Sequence, residues 1–256
     1  MKILAHQQIG KGQVVVLIHG FCESQEMWHF FSPELAKYFK VISLDLGGFG
    51  ESQDLLPEPC SIEHLAEQVK QLLQHLQVPK AIFVGHSLGA YVSLALAEKY
   101  PNLVEKIVLF HSTALADSPE KVHIRNKTID FVKKVGVEAY IKTFVSPLFY
   151  AERLSELTES ISFLENIGKK TPQNSIIKVI EAMRDRKNRL NIIKNASFPI
   201  LYIIGKNDNA ISFESYQEQI NCNSQIKTFI LEETGHMGMF ERPQETLEAL
   251  IQFCSL

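Results

Sequence analysis

The stretch Ala81-Ile82-Phe83-Val84-Gly85-His86-Ser87-Leu88-Gly89-Ala90 decides how this chain folds. An apolar run enters two glycines placed around one serine, and a helical pattern follows over Tyr91 to Lys99. A buried strand that feeds a helix through Gly-x-Ser-x-Gly is a nucleophile elbow. The turn is tight, so glycine is needed at 85 and 89, where a Cβ would obstruct the approach of strand and helix. Ser87 is lifted clear of the sheet and sits at a helix N-terminus, where free N–H groups can hold a developing oxyanion. The same five-residue pattern occurs by chance in loops. The strand before it and the helix after it set this occurrence apart.

Outward from the elbow, the chain alternates strand and helix. Lys2 to Gln7 reads as a short edge strand and Gly10-Lys11-Gly12 as a turn. Gln13 to Ile18 is a continuous apolar strand of the kind buried on both faces. A helix is expected over Ser32 to Tyr38, a strand over Val41 to Leu44, and an amphipathic helix over Ile62 to Leu76. After the elbow helix comes a strand at Ile107 to Phe110. From about Thr113 to Asn195 no strand pattern appears, and segments near 120–135, 137–145, 152–167 and 173–187 read as amphipathic helices. Strands resume at Ile200 to Ile204 and Ile226 to Leu231, with helices near Phe213 to Ile220 and Gln244 to Phe253. This spacing predicts an α/β fold with a mostly parallel sheet covered by helices on both faces. The expected division is a core of residues 1–112 and 196–256 with a helical cap inserted at 113–195.

Composition excludes several classes. The formal net charge of −3 and the absence of a basic run give no reason to expect nucleic-acid binding. No apolar run approaches membrane-spanning length, and the first eight residues turn polar too early for a signal peptide. The four cysteines are scattered without a Cys-x-x-Cys pair, as expected of free thiols in a reducing cytoplasm. Gly10-Lys11-Gly12 precedes its strand, so it is not a dinucleotide fingerprint, which follows one.

A serine nucleophile needs a base, and the base needs an orienting carboxylate. His236 lies in Thr234-Gly235-His236-Met237-Gly238, a flexible loop leaving the last strand, and is the expected base. His86 is inside the elbow but is directed away from Ser87, and His19 at a strand end is expected to bond nearby backbone. Among six aspartates, Asp208 ends the strand before the last, and the order Ser, Asp, His selects it over the runner-up Asp117. The backbone N–H groups of Leu88 and Phe21 are the expected oxyanion hole. Trp28, His86 and Met237 are candidates for the pocket wall. Phe131, Phe144, Phe149, Phe163 and Met183 fall at helical spacing and read as cap core before pocket lining.

Several pieces taken together resemble the α/β-hydrolase superfamily over essentially the whole chain. They are His19-Gly20-Phe21, Trp28, Asp45-Leu46-Gly47-Gly48-Phe49-Gly50-Glu51-Ser52, Gly85-His86-Ser87-Leu88-Gly89, Gly205 with Asp208, and Gly235-His236 followed by Glu241-Arg242-Pro243. The resemblance implies seven or eight strands, with a helical cap after the sixth strand of the eight-stranded form. Family members often carry proline at Gly47 and a second glycine at Ala90. A serine nucleophile separates the chain from the dehalogenases and epoxide hydrolases of the superfamily, which attack with aspartate. The elbow and cap look closest to small-molecule esterases, carrier-ester hydrolases and perhydrolases. They also resemble the cofactor-free lyase of menaquinone biosynthesis, and a ligand receptor that retains the triad with little turnover is the remaining alternative. The expected partner is a small-molecule ester or acyl substrate, with no nucleic acid and no membrane, acting on a monomer or homodimer in the cytoplasm. No Cys/His cluster has metal-ligand spacing, so neither metal nor cofactor is expected. Turnover should therefore survive dialysis against a chelator, measured with and without added divalent cations.

Overall fold

Seven strands form one sheet in a computed structural model that describes residues 2–256. They are β1 (His6–Gly10), β2 (Val14–Ile18), β3 (Lys40–Leu44), β4 (Ala81–His86), β5 (Val104–Phe110), β6 (Ile200–Gly205) and β7 (Ile226–Leu231). Their order is β1-β3-β2-β4-β5-β6-β7. Only β1 runs antiparallel, paired to β3 from His6 opposite Leu44 to Gly10 opposite Lys40. The central strands β4 and β6 are buried throughout, which explains their unbroken apolar runs. The expected strand at Lys2 to Gln7 lies instead at His6–Gly10. This edge strand is largely solvent-facing, so hydrophobic periodicity gives no signal for its bounds.

Ten α-helices accompany the sheet among the described residues. α1 (Phe31–Leu35) starts a residue earlier than expected and stops sooner, where the Tyr38 and Phe39 N–H groups both close onto the Leu35 carbonyl. α2 (Ile62–His75) is capped by the Ser61 side chain and buries Ile62, Leu65, Ala66, Val69, Leu72 and Leu73 along one stripe. α3 (Leu88–Lys99) is buried from Leu88 through Ala97 and packs on α2 and β4.

Between β5 and β6 the chain makes an all-helical excursion: α4 (Pro119–Phe144), α5 (Thr158–Gly168), α6 (Gln173–Arg184) and α7 (Leu190–Lys194). The two segments expected near 120–135 and 137–145 are the two parts of α4. They meet at Gly136, whose φ of 79° and ψ of 175° break the helical path as only glycine does without strain. α6 packs against α4 with Ile176, Val179, Ile180 and Met183 buried. The excursion is tied at its neck: Arg189 N–H donates to the Ala114 carbonyl at 2.7 Å, and Arg186 Nε donates to the Leu115 carbonyl at 3.1 Å.

The chain ends with α8 (Gln217–Ile220), α9 (Gly238–Glu241) and α10 (Pro243–Ser255). Lys106, buried on β5, donates through Nζ to the Phe253 and Cys254 carbonyls at 3.2 and 2.9 Å, so a cation closes the C-terminus of α10. No helix is long and apolar enough to cross a membrane among the described residues.

Parallel pairing aligns Ile18 with Gly85, Gly85 with Leu109, and Phe110 with Ile203. The carboxyl ends of β2, β4, β5 and β6 therefore open at one edge, and α3 starts there directly against β2. A Cβ at Gly89 would collide with the carbonyls of Ile18 and His19. Backbone cannot give way as a side-chain tip can. Gly89→Val should lower stability by about 3 kcal/mol or more, at the upper end of overpacking penalties, read as a lower urea midpoint with an unchanged slope.

Candidate active site

Ser87 joins β4 to α3 in the left-handed region, at φ 47° and ψ −110°. A non-glycine residue holds that conformation only when its surroundings over-determine it. Here Ser87 N–H donates to the Phe110 carbonyl at 2.9 Å, while its own carbonyl accepts from Ser112 Oγ at 2.8 Å and from Ala90 N–H at 3.0 Å. Phe21, in the loop after β2, packs edge-on to Phe49 and Phe144. Among the described residues, the N–H groups of Phe21 and Leu88 donate to no protein acceptor, which leaves both available to a ligand.

Asp208 follows β6 and His236 follows β7, and the structure brings them together. His236 Nδ1 lies 2.6 Å from Asp208 Oδ2. The other Asp208 oxygen accepts from Ala210 and Ile211 N–H at 2.7 and 3.0 Å. Burial alone would raise the Asp208 pKa, but the charge and hydrogen bond of His236 outweigh it and hold the carboxyl below its usual range. The Ser87 hydroxyl is not hydrogen-bonded to His236 in this structure; both line one cavity of about 90 Å³. Asp117 is elsewhere, bound to Arg125 Nε at 2.6 Å and Arg186 Nη1 at 2.5 Å.

Three further histidines crowd this edge. His86 Nδ1 faces Glu23 Oε2 and its Nε2 faces the His236 carbonyl, both at 3.0 Å. Two acceptors on two ring nitrogens are satisfied only by the imidazolium, which donates twice. Burial draws the His86 pKa down, yet the Glu23 charge and these hydrogen bonds raise it overall. Glu23 resists its own burial likewise and ends below the usual range, while its Oε2 also accepts Gly20 N–H at 2.5 Å. His111 meets the opposite surroundings: its two ring nitrogens face the N–H groups of Gly205 and Gly238 at 3.0 Å, and burial holds its pKa far below normal. His19, as expected, bonds local backbone, with Nδ1 at 2.7 Å from the Gly20 carbonyl and Nε2 accepting Leu46 N–H at 3.0 Å.

Two expected pocket residues are not in the pocket. Trp28, at the end of the short helical turn at 25–28, is fully buried with its ring against Phe31 and Phe110. Met237 is likewise enclosed, and its N–H donates to Glu241 Oε1 at 3.2 Å. His86, a candidate for the pocket wall, lines the cavity. Phe144 and Met183 line it as well, against the expectation of cap core. Phe149 is buried core as expected, and Phe131 lines a larger adjoining cavity.

Glu241 belongs to this edge too, a role that its place in Glu241-Arg242-Pro243 does not reveal in the sequence. Its carboxylate accepts N–H groups from Tyr150, Gly235 and Met237 at 3.0, 2.9 and 3.2 Å, binding both sides of His236 to the excursion. Among the described residues no three His, Cys, Asp or Glu side chains group so as to hold a metal ion.

A family model described as the alpha/beta hydrolase fold matches residues 13–243, and the chain belongs to this family. It is 27% identical over 256 residues to an uncharacterized hydrolase, YugF, of Bacillus subtilis, covering 97% of this chain and 92% of that protein. It is 26% identical over 242 residues to the dihydrolipoyllysine-residue acetyltransferase component of an acetoin cleaving system of Pseudomonas putida. That match covers 94% of this chain and spans 63% of the longer protein. Among solved structures, a thermophilic esterase from Thermogutta terrifontis superposes with a TM-score of 0.92 at 26% identity, covering 98% of this chain and 93% of that one.

The buried charges give stability a two-sided pH dependence. Asp208 and Glu23 have folded pKa values below their unfolded ones of about 4, so their contribution is present above that pH and is lost as pH falls. His86 has a raised folded pKa, so its contribution is full below about pH 6.5 and is lost as pH rises through the raised value. Glu23→Gln leaves a buried imidazolium without its partner and should cost about 3–5 kcal/mol at neutral pH. Melting temperatures across pH 5–9 should show the alkaline slope of the wild type flattened in this variant.

Proposed function

We propose that this chain is a serine hydrolase that cleaves a small-molecule carboxylic ester through an acyl-enzyme. The observation that carries the reading is Ser87 held at a strained elbow in the cavity that also contains His236, whose far ring nitrogen is bound to Asp208. His236 Nε2 takes the Ser87 proton as Oγ attacks the ester carbonyl carbon. The oxyanion so formed accepts the N–H groups of Phe21 and Leu88. Asp208 keeps the Nδ1 proton in place and stabilises the imidazolium, which then protonates the departing alkoxide. Water repeats the sequence on the acyl group: His236 removes its proton, the acid leaves, and Ser87 is regenerated. The solved esterase of the same fold supports an ester bond as the target.

Residues 113–195 serve in this reading as a cap that selects the substrate. In support, Lys121, Arg125, Phe144 and Met183, all on α4 or α6, line the same cavity as Ser87. A cap there keeps bulk water from the acyl-enzyme until the leaving group has gone. A fluorophosphonate should label Ser87 stoichiometrically. Ser87→Ala should lose labelling and at least about 10⁴-fold in kcat on short esters, while Asp208→Asn keeps labelling at a much reduced rate. Esterase activity near wild type in Ser87→Ala would falsify the assignment, and labelling with no turnover of any ester or thioester would favour a receptor.

A further inference from the structure

The cavity that adjoins Ser87 carries charge of one sign. It encloses about 560 Å³, and among the described residues its charged lining is Lys121, Arg125 and Lys127, with no carboxylate. Lys121 and Arg125 also line the 90 Å³ cavity of Ser87 and His236, so they stand where the two spaces meet. They are four residues apart on α4 and share one face of it.

The anions near them are already committed. Asp117, buried, gives one oxygen to Arg186 and the other to Arg125. Arg186 is itself buried, stacked 4.2 Å over the Tyr91 ring and donating to the Leu115 and Met183 carbonyls. Two guanidinium groups thus share one carboxylate, and one positive charge is left over. Lys121 adds a second: among the described residues its Nζ is bonded only to the neutral Ala210 carbonyl at 2.9 Å, and burial draws its pKa below the usual lysine value. Glu23 is held by His86 and Asp208 by His236. Asp117 grips Arg125 through Nε alone. The two terminal nitrogens of Arg125 donate to no protein acceptor among the described residues, so its fork is oriented yet free to take a carboxylate end-on.

Resting on the serine-hydrolase reading, we infer that the substrate is an anionic ester: a short acyl group at Ser87 and an alcohol half bearing a carboxylate held by Arg125 and Lys121. The small cavity limits the acyl group, and the large one, with Phe21, Phe131, Phe144 and Ile180 on its walls, accepts a flat or apolar body behind the carboxylate. Excess positive charge in a partly enclosed space is unfavourable alone and becomes favourable when an anion enters. The carboxylate therefore contributes binding that a neutral ester cannot recover.

A matched pair tests this: 4-acetoxybenzoate against its neutral amide, 4-acetoxybenzamide. Wild-type kcat/KM should favour the acid by about tenfold or more at low ionic strength, and the preference should shrink as salt is added. Arg125→Gln and Lys121→Gln should each lower the acid-to-amide ratio at least fivefold, and Arg125→Lys should lower it less. Fluorophosphonate labelling of Ser87 in every variant reports separately whether the site is intact. A labelled wild-type enzyme with a ratio near one, with no turnover of the acid, or with a ratio that both glutamine variants leave in place overturns the anionic substrate and leaves the hydrolase reading standing. Failure of Ser87 to label in the wild type overturns the hydrolase reading itself.

Discussion

The backbone of α3 crosses β2 at a distance that only a missing side chain permits. Gly89 rests against the carbonyls of Ile18 and His19, and Gly85 against the backbone at Gly89 and Ala90. That approach leaves the connecting residue one route, and Ser87 takes it in a conformation that costs on the order of 1–3 kcal/mol. The burial of α3 from Leu88 to Ala97 between the sheet and α2 offsets that cost. Strain at the serine is therefore maintained by packing on the far side of the same helix. The crossing also puts the Leu88 N–H beside the loop that carries Phe21.

The same edge shows how one residue type acquires different chemistry from its partners. His236 has a carboxylate on one nitrogen and the cavity on the other side of the ring. His86 has an acceptor on each nitrogen and holds its charge; His111 faces backbone donors and does not. His19 clamps two loops. Among the described residues, only the first arrangement leaves a ring nitrogen beside the cavity without a protein partner.

Legibility in the sequence followed the range of the forces involved. The elbow, six of the seven strands and the helical excursion are written in local patterns: apolar runs, helical stripes and glycines at a turn. β1 was displaced by several residues because an exposed edge strand needs no apolar pattern. The Asp208 and His236 positions were readable from motif order. The Glu23–His86 pair was not, because its partners lie 63 residues apart and neither has a local reason to be buried. Arg186 and Asp117 are 69 residues apart and meet only after the excursion folds back, which is why Asp117 looked available to the histidine. Trp28 and Met237 misled because a loop beside a site does not fix which way its side chains turn.

The neck of the excursion has an evolutionary consequence. Ala114 and Arg189 are joined backbone to backbone, so some seventy residues, mostly helical, leave the core and return at a single point. A segment whose ends already touch adds little closure entropy when it lengthens or shortens, since that cost grows only logarithmically with length. The sheet and the Asp208–His236 pair lie outside that closed loop. Lineages descended from such a chain can exchange most of the helical segment, and with it the cationic face of α4, as a cassette, provided the contacts to Glu241 and His236 are kept.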